Sequence, residues 1–214
     1  MPLCHIIHTY NYGVKPLTAS PKPILRELPA EITSERVLIR PYRAGDGAAL
    51  WEAVAESREH IKPWLPWGDL HKTPEDSEIF VRMMHAKWLT REDMPMGIWD
   101  LSSGRYLGGT GLHRINWDVP CFEIGYWLRK SAEGHGYISE ASWLLTQMCF
   151  ETLHAQRVEI HVAGGNVRSA AVPLRLGFIH EATLRNKTKI TTGEVRDMLI
   201  FSMIPEEYAA KTAG

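Results

Sequence analysis

Glu123-Ile124-Gly125-Tyr126-Trp127-Leu128-Arg129-Lys130-Ser131-Ala132-Glu133-Gly134-His135-Gly136-Tyr137 runs an apolar strand through a Gly-x-Gly turn into a helix. Glycine reaches positive φ without a Cβ clash and lets a ligand come close to the backbone. The first N–H groups of a helix lack intrahelical partners and sit at the positive end of its dipole, so such a turn suits an anion, with diphosphate as its natural guest. A plain tight turn before a helix has the same pattern. A P-loop requires Gly-Lys-Ser/Thr, whereas Tyr137-Ile138 follow Gly136. A dinucleotide-binding turn requires a third glycine, where Ser139 stands, and a βαβ context instead of a meander.

Downstream, Ile138, Ala141, Leu145, Met148 and Thr152 form one stripe at period 3.6, which predicts a long helix from His135. Val158, Ile160 and Val162 alternate as a strand. Ser169 to Leu176 reads as a short helix stopped by Gly177, and Phe178–Leu184 and Val195–Met203 as final strands. Upstream, Gly97–Leu101, Arg105–His113 and Cys121–Leu128 form an antiparallel meander. Thr73-Pro74-Glu75-Asp76 opens a helix over 74–90 with a capping residue, a proline and acids in its first turn. Val37, Ile39 and Pro41 mark a first strand, and Asp46 is placed to cap the helix after it. Helices interrupting a mostly antiparallel sheet give an α+β, or mixed α/β, class.

The chain has 214 residues, 44% of them hydrophobic and 23% charged, which predicts a globular protein with one good core. Lys and Arg total 24 against 25 Asp and Glu, a net charge of −1, which excludes nucleic-acid binding by bulk charge. Cys4, Cys121 and Cys149 are odd in number and far apart, so they read as thiols in a reducing compartment. The chain lacks a run of ~20 apolar residues and a basic, apolar leader, so a cytoplasmic location is expected, without membrane insertion. No HxxxH or HExxH occurs among the ten histidines, and no metal is expected. Residues 1–30, with five prolines, read as an extension, 31–206 as the folded domain and 207–214 as a tail.

Several segments in order carry a family resemblance: Thr33-Ser34-Glu35-Arg36-Val37-Leu38-Ile39-Arg40-Pro41, His60-Ile61-Lys62-Pro63-Trp64-Leu65-Pro66-Trp67, the Glu123–Leu128 strand with its Gly-x-Gly turn, Asn166-Val167-Arg168-Ser169, and Leu176-Gly177-Phe178. Over about Thr33 to Met203 the chain resembles the GCN5-related N-acetyltransferases (GNAT), and within them the ribosomal-protein alanine and serine acetyltransferase branch. The resemblance implies a mixed sheet splayed into a V beside the 121–128 strand, with pantetheine in the cleft and pyrophosphate over the turn. The family's Gln/Arg-x-x-Gly-x-Gly/Ala appears here as Ser131-Ala132-Glu133-Gly134-His135-Gly136, departing at its first position. Backbone N–H groups supply most of such a contact, so Ser131 weakens the motif without removing its basis. A carboxylate at Glu133 repels diphosphate unless it points away.

The implied reaction moves acetyl from acetyl-CoA to an amine by direct attack on the thioester, without metal. Tyr126, Trp127, Leu128, Gly134, His135, Gly136, Tyr137 and Asn166 are expected at the cofactor, with N–H groups near Trp127 and Leu128 on the carbonyl and Arg168 and Arg175 within reach of the 3′-phosphate. Ser169, by resemblance, faces the departing sulfur; capping the short helix is its other reading. Glu123 is the expected base, its strand face shared with Cys121, Gly125 and Trp127, and burial is expected to raise its pKa. Its other reading is an ion pair with Arg114 or His113. His113, the reserve base, and Trp64 and Trp67 are expected on the acceptor side. A terminal α-amine titrates near ~7.7–8.0 and a lysine near ~10.4, a gap of roughly 3.4 kcal/mol favouring the α-amine. That gap agrees with the protein N-terminal activity the resemblance implies, and small amines with depressed pKa values are equally easy. A peptide or protein N-terminus is the first expectation, a small-molecule amine the second and a non-catalytic acyl-CoA sensor the third. The chain is expected to act as a monomer or homodimer.

Overall fold

The computed structural model describes residues 22–213. Most of the expected 1–30 extension lies outside the described residues; of it, only 22–30 are seen, including a helical turn at Pro23–Leu25. The elements are β1 (Ile32–Thr33), β2 (Val37–Pro41), α1 (Gly47–Ile61), α2 (Pro74–Thr90), β3 (Met94–Asp100), β4 (Tyr106–Asn116), β5 (Cys121–Leu128), α3 (Tyr137–Gln147), β6 (Arg157–Ala163), α4 (Val167–Leu176), β7 (Ile179–Lys189), β8 (Val195–Met203) and α5 (Pro205–Thr212). One sheet carries the strands in the order β1-β2-β3-β4-β5-β6-β8-β7. Every neighbouring pair is antiparallel except β5 with β6.

Strand alternation sends side chains to two faces, and each face has its own helices. Val37, Ile39, Ile98, Leu107 and Ile124 pack with Ala141 and Leu145 of α3 in the larger core. Their neighbours Leu38, Trp99, Tyr106 and Trp127 pack with Leu50, Ala53 and Val54 of α1 and Val81 of α2. None of the helices among the described residues is long and apolar enough to cross a membrane.

Several local details differ from expectation. Asp46 precedes α1, but its carboxylate binds Arg40 at 2.7 and 2.8 Å and the Arg43 N–H at 2.7 Å. Glu78 of α2 instead accepts from the Gly45 and Gly47 N–H groups at 3.0 and 3.1 Å, so the start of α1 is satisfied from a neighbouring helix. The Thr73–Asp76 capping box forms on α2 as its sequence predicts. Helix α3 starts at Tyr137, two residues later than expected, and passes into a wider π turn over Met148–Thr152. The segment read as a tail is helical as far as Thr212. Tyr208 anchors it, stacked on Phe150 at 4.7 Å, and this contact is invisible to local pattern.

Candidate active site

Strands β5 and β6 pair only over Cys121–Glu123 with Arg157–Glu159. From Ile124 onward β5 keeps β4 on one side and has no strand on the other, so the sheet opens into a cleft with Glu123 at its apex. Trp127 and Leu128 lie in the opened part, opposite Gly109 and Gly108 of β4. The cleft is spanned by Tyr126, whose hydroxyl donates to the Ser169 carbonyl at 2.9 Å and lies 3.3 Å from Ser169 Oγ. Burial pushes the Tyr126 phenol up to about 12, against the lowering bond to Ser169, so it stays protonated. The cap of α4 is Asn166, whose side chain accepts from the Ser169 N–H at 3.1 Å; the hydroxyl of Ser169 is not used as a cap.

Beyond β5 the chain is fastened before it reaches the turn. Arg129, only 2% exposed, binds Glu52 and Glu56 of α1 and the Tyr106 carbonyl. The N–H groups of Lys130 and Ser131 donate to Ser57 Oγ at 2.9 Å and Glu56 at 2.7 Å. Gly134 and Gly136 then adopt φ of +80° and +81°, conformations that disfavour any side chain. A Cβ on Gly134 would meet nothing within 4 Å, so that face of the turn is open to a ligand. Tyr137 begins α3 directly after it, its ring tilted against His135.

Glu133 does not stand as a lone charge at this turn. It pairs with His60, with Lys130 at 2.8 Å and with Arg168 at 3.2 Å. Burial raises its carboxyl, but Lys130, His60 and Arg168 together bring it below the usual range. Arg168 is thus held at the turn by Glu133, while Arg175 donates to Ser139 Oγ on α3 at 2.8 Å. Both arginines sit beside the Gly-x-Gly segment.

At the apex, Glu123 is 8% exposed and borders a cavity of about 690 Å³ with Trp67, Lys87, Glu92, Asp93, His113 and Arg114. A second cavity of about 230 Å³, lined mainly by aromatic and aliphatic side chains, adjoins it through Trp67 and His113 and reaches Trp127. Trp67 meets Trp127 edge-on at 5.3 Å between centroids. Trp64, expected beside it, lines neither cavity. His113 lies opposite Glu123 across β4 and β5, and its Nδ1 is 2.7 Å from Asp93. Gly125 leaves room for that ring: a Cβ there would lie 2.8 Å from His113 Cδ2.

The expectation that burial raises the Glu123 pKa is overturned. Burial does push its carboxyl up, but His161, and then Arg114, outweigh burial and hold it below the usual range. Arg114 lies within a register shift of β4, at φ +46°, and its guanidinium reaches Glu123 Oε1. His161 Nδ1 is 2.8 Å from Glu123 Oε2, and its Nε2 is 2.7 Å from Glu159. Burial lowers His161, but the two carboxylates dominate and push it up to about 9. Glu159 falls to about 2, chiefly through its bond to His161.

Sequence reading missed His161 and Glu159. The available signal was a polar residue at every second position of β6, between Val158, Ile160 and Val162. Its meaning depends on the β5–β6 register, which strand pattern alone does not give. Among the described residues, Glu123, Glu159 and His161 are also the one trio close enough to hold a metal ion. In this structure His161 turns a different ring nitrogen to each carboxylate and pairs with both.

The family model of the acetyltransferase (GNAT) domain matches residues 36–179. A Bacillus subtilis (strain 168) protein named "Putative ribosomal N-acetyltransferase YdaF" is 29% identical over 177 residues, 82% of this chain and 94% of that protein. The ribosomal-protein-serine acetyltransferase of Escherichia coli (strain K12) is 27% identical over 139 residues, 64% of this chain and 75% of the relative. Among solved structures, the microcin C7 self immunity acetyltransferase MccE, in complex with acetyl-CoA and AMP, superposes with a TM-score of 0.77 over 83% of this chain and 97% of that one. At 21% identity that likeness is one of fold. The family match spans the splayed strand, the Gly-x-Gly turn and the helix after it, and the chain belongs to the GNAT family of N-acetyltransferases.

Proposed function

We propose that this N-acetyltransferase moves acetyl from acetyl-CoA to the α-amine of a protein or peptide N-terminus, of the ribosomal-protein kind. One observation carries the reading: β5 has the Glu123 carboxylate and an acceptor-sized cavity at one end, an anion turn beyond the other, and an unpaired edge between them. The names of the two ribosomal-type relatives support the acceptor class, and the fold shared with an acetyl-CoA complex supports the donor.

In this reading the diphosphate rests on the N–H groups of Gly134, His135, Gly136 and Tyr137, with Arg168 and Arg175 nearby for the 3′-phosphate. Pantetheine follows the open edge of β5 past Asn166. N–H groups near Trp127 and Leu128 polarise the thioester carbonyl, where preorganised donors are worth most because they need no reorganisation. The amine enters by the cavity of Trp67 and His113, attacks the carbonyl and gives a proton to Glu123. Ser169, held beside Tyr126 at the cleft, protonates or hydrogen-bonds the departing sulfur. A thiol has a reference pKa of ~8.5, so the thiolate leaves tolerably well and this last aid is modest.

A second reading, acetylation of a small cationic amine, draws support from the cavity's charge: Glu92, Asp93 and Glu123 face Lys87 and Arg114. A thiol-release assay with acetyl-CoA separates the two, using peptides that begin with Ala or Ser beside a panel of small amines. Turnover on peptides that falls with Glu123→Gln supports the first reading. Turnover confined to small amines moves the acceptor to the second class.

A further inference from the structure

We infer that His161 is a positioning residue that joins Glu123 to Glu159 and completes a proton path from the acceptor cavity to the solvent side of β6. The inference rests on the proposed role of Glu123 as the group that takes the amine's proton.

The path is built by register. Glu123 and Glu159 face each other in the last β5–β6 pair, and His161, two residues further along β6, shares the face of Glu159. Its two ring nitrogens bridge the carboxylates at 2.8 and 2.7 Å. Glu123 Oε2 is buried and has no aligned hydrogen-bond donor, although His161 lies at ion-pair distance from it. Exposure rises along the path, from 10% for the Glu123 side chain to 21% for Glu159. The charged or titratable neighbours are Arg114, His113 and Cys121 on the Glu123 side, and Arg157 with its partner Glu181 on the Glu159 side. Strand β8 places Ser202 and Ile200, both uncharged, opposite Glu159 and His161.

The path answers a deficit in Glu123 itself. Against its burial, Glu123 is held below its usual range by His161 and Arg114, so it carries a proton from the amine only in transit and must pass it on. His161, pushed up to about 9, has the matching proton affinity but lies behind Glu123, with a ring nitrogen toward it. The cycle starts with neutral His161, the form that fills as pH rises through about 9. As the new C–N bond forms, the acceptor nitrogen gives a proton to Glu123. That proton moves to His161 Nδ1, the Nε2 proton moves to Glu159, and water takes it from there. One proton enters and one leaves, and all three side chains return to their starting charge.

The test is the pH profile of kcat, by thiol release from acetyl-CoA with the best acceptor among Ala- and Ser-peptides and small amines, for wild type and for Glu123→Gln, His161→Gln and Glu159→Gln. The wild-type kcat is expected to rise to an alkaline plateau. His161→Gln is expected to lose that ionisation and about 10- to 100-fold in kcat, with KM for acetyl-CoA unchanged and melting still cooperative. Glu159→Gln is expected to shift the ionisation to lower pH, because one anion that holds the His161 proton is gone. If Glu123→Gln is impaired while His161→Gln keeps the wild-type profile, the relay is overturned and Glu123 stands as the base alone. If Glu123→Gln is as active as wild type, or no amine is acetylated, the reading of Glu123 falls and the relay falls with it.

Discussion

Glu123 and Glu159 face each other across the last residue pair that holds β5 and β6 together. Two carboxylates in that position repel, and His161 between them, with Arg114 and Arg157 outside, converts the repulsion into a row of alternating charge. The point where the sheet opens is therefore fixed by charge as well as by hydrogen bonds.

That row predicts a two-sided pH dependence of stability. His161 is raised from 6.5 to about 9, so its contribution is full below pH ~6.5 and is lost as pH rises through about 9. Glu159 is lowered from 4.5 to about 2, so its contribution is full above pH ~4.5 and is lost as pH falls through about 2. The Tm difference between wild type and His161→Gln should be largest near pH 5–6 and shrink by pH 9. A difference constant with pH would show that the ring acts by packing alone.

Substitution at the cleft should separate two roles by size. Glu123→Gln removes the proton acceptor and should lower kcat by about 10²- to 10⁴-fold. Ser169→Ala should cost only about tenfold or less, because the leaving thiolate needs little help. Steady-state rates for both variants, with acetyl-CoA saturating, check this order; a larger loss at Ser169 would reverse it.

Glycines in the sheet and in the turn should fail differently. A Cβ on Gly108 would lie 2.2 Å from the Trp127 carbonyl oxygen, a backbone atom of the neighbouring strand. Gly108→Ala should thus destabilise by about 1–3 kcal/mol or more through forced strand separation. A Cβ on Gly136 would meet only Arg36 Nη2 at 3.7 Å, and the strain lies in its φ of +81°. Gly136→Ala should cost about 1–2 kcal/mol and weaken acetyl-CoA binding. Denaturant melts and CoA titration by calorimetry read the two effects.

Arg129 should matter for binding although it lies outside the cleft. It ties the exit of β5 to Glu52 and Glu56, and Glu56 also holds the Ser131 N–H just before the turn. Burial raises Glu56, but the bonds from Arg129 and Ser131 prevail and bring it to about 2. Arg129→Met should lower Tm and raise KM for acetyl-CoA, while Trp67→Ala should raise KM for the amine and leave that for acetyl-CoA alone. Matching KM changes in both variants would count against separate donor and acceptor sides.

The strand ending in Leu128, the Gly-x-Gly turn, the helix after it and the Thr73 cap are each legible from neighbouring residues, by period, glycine and capping chemistry. The sequence also picked out Glu123, Trp67 and His113, which border one cavity. Tertiary structure decided the rest. The pairing of β5 with β6 brings residues 36 positions apart into register, and only that register makes His161 a partner of Glu123 and turns an expected rise in its pKa into a fall. The burial of Tyr208, which makes a helix of the expected tail, and the reach of Glu78 to the start of α1 have the same origin. Local propensity acts over a few residues, whereas ion pairs and side-chain burial depend on which distant segments the fold brings together.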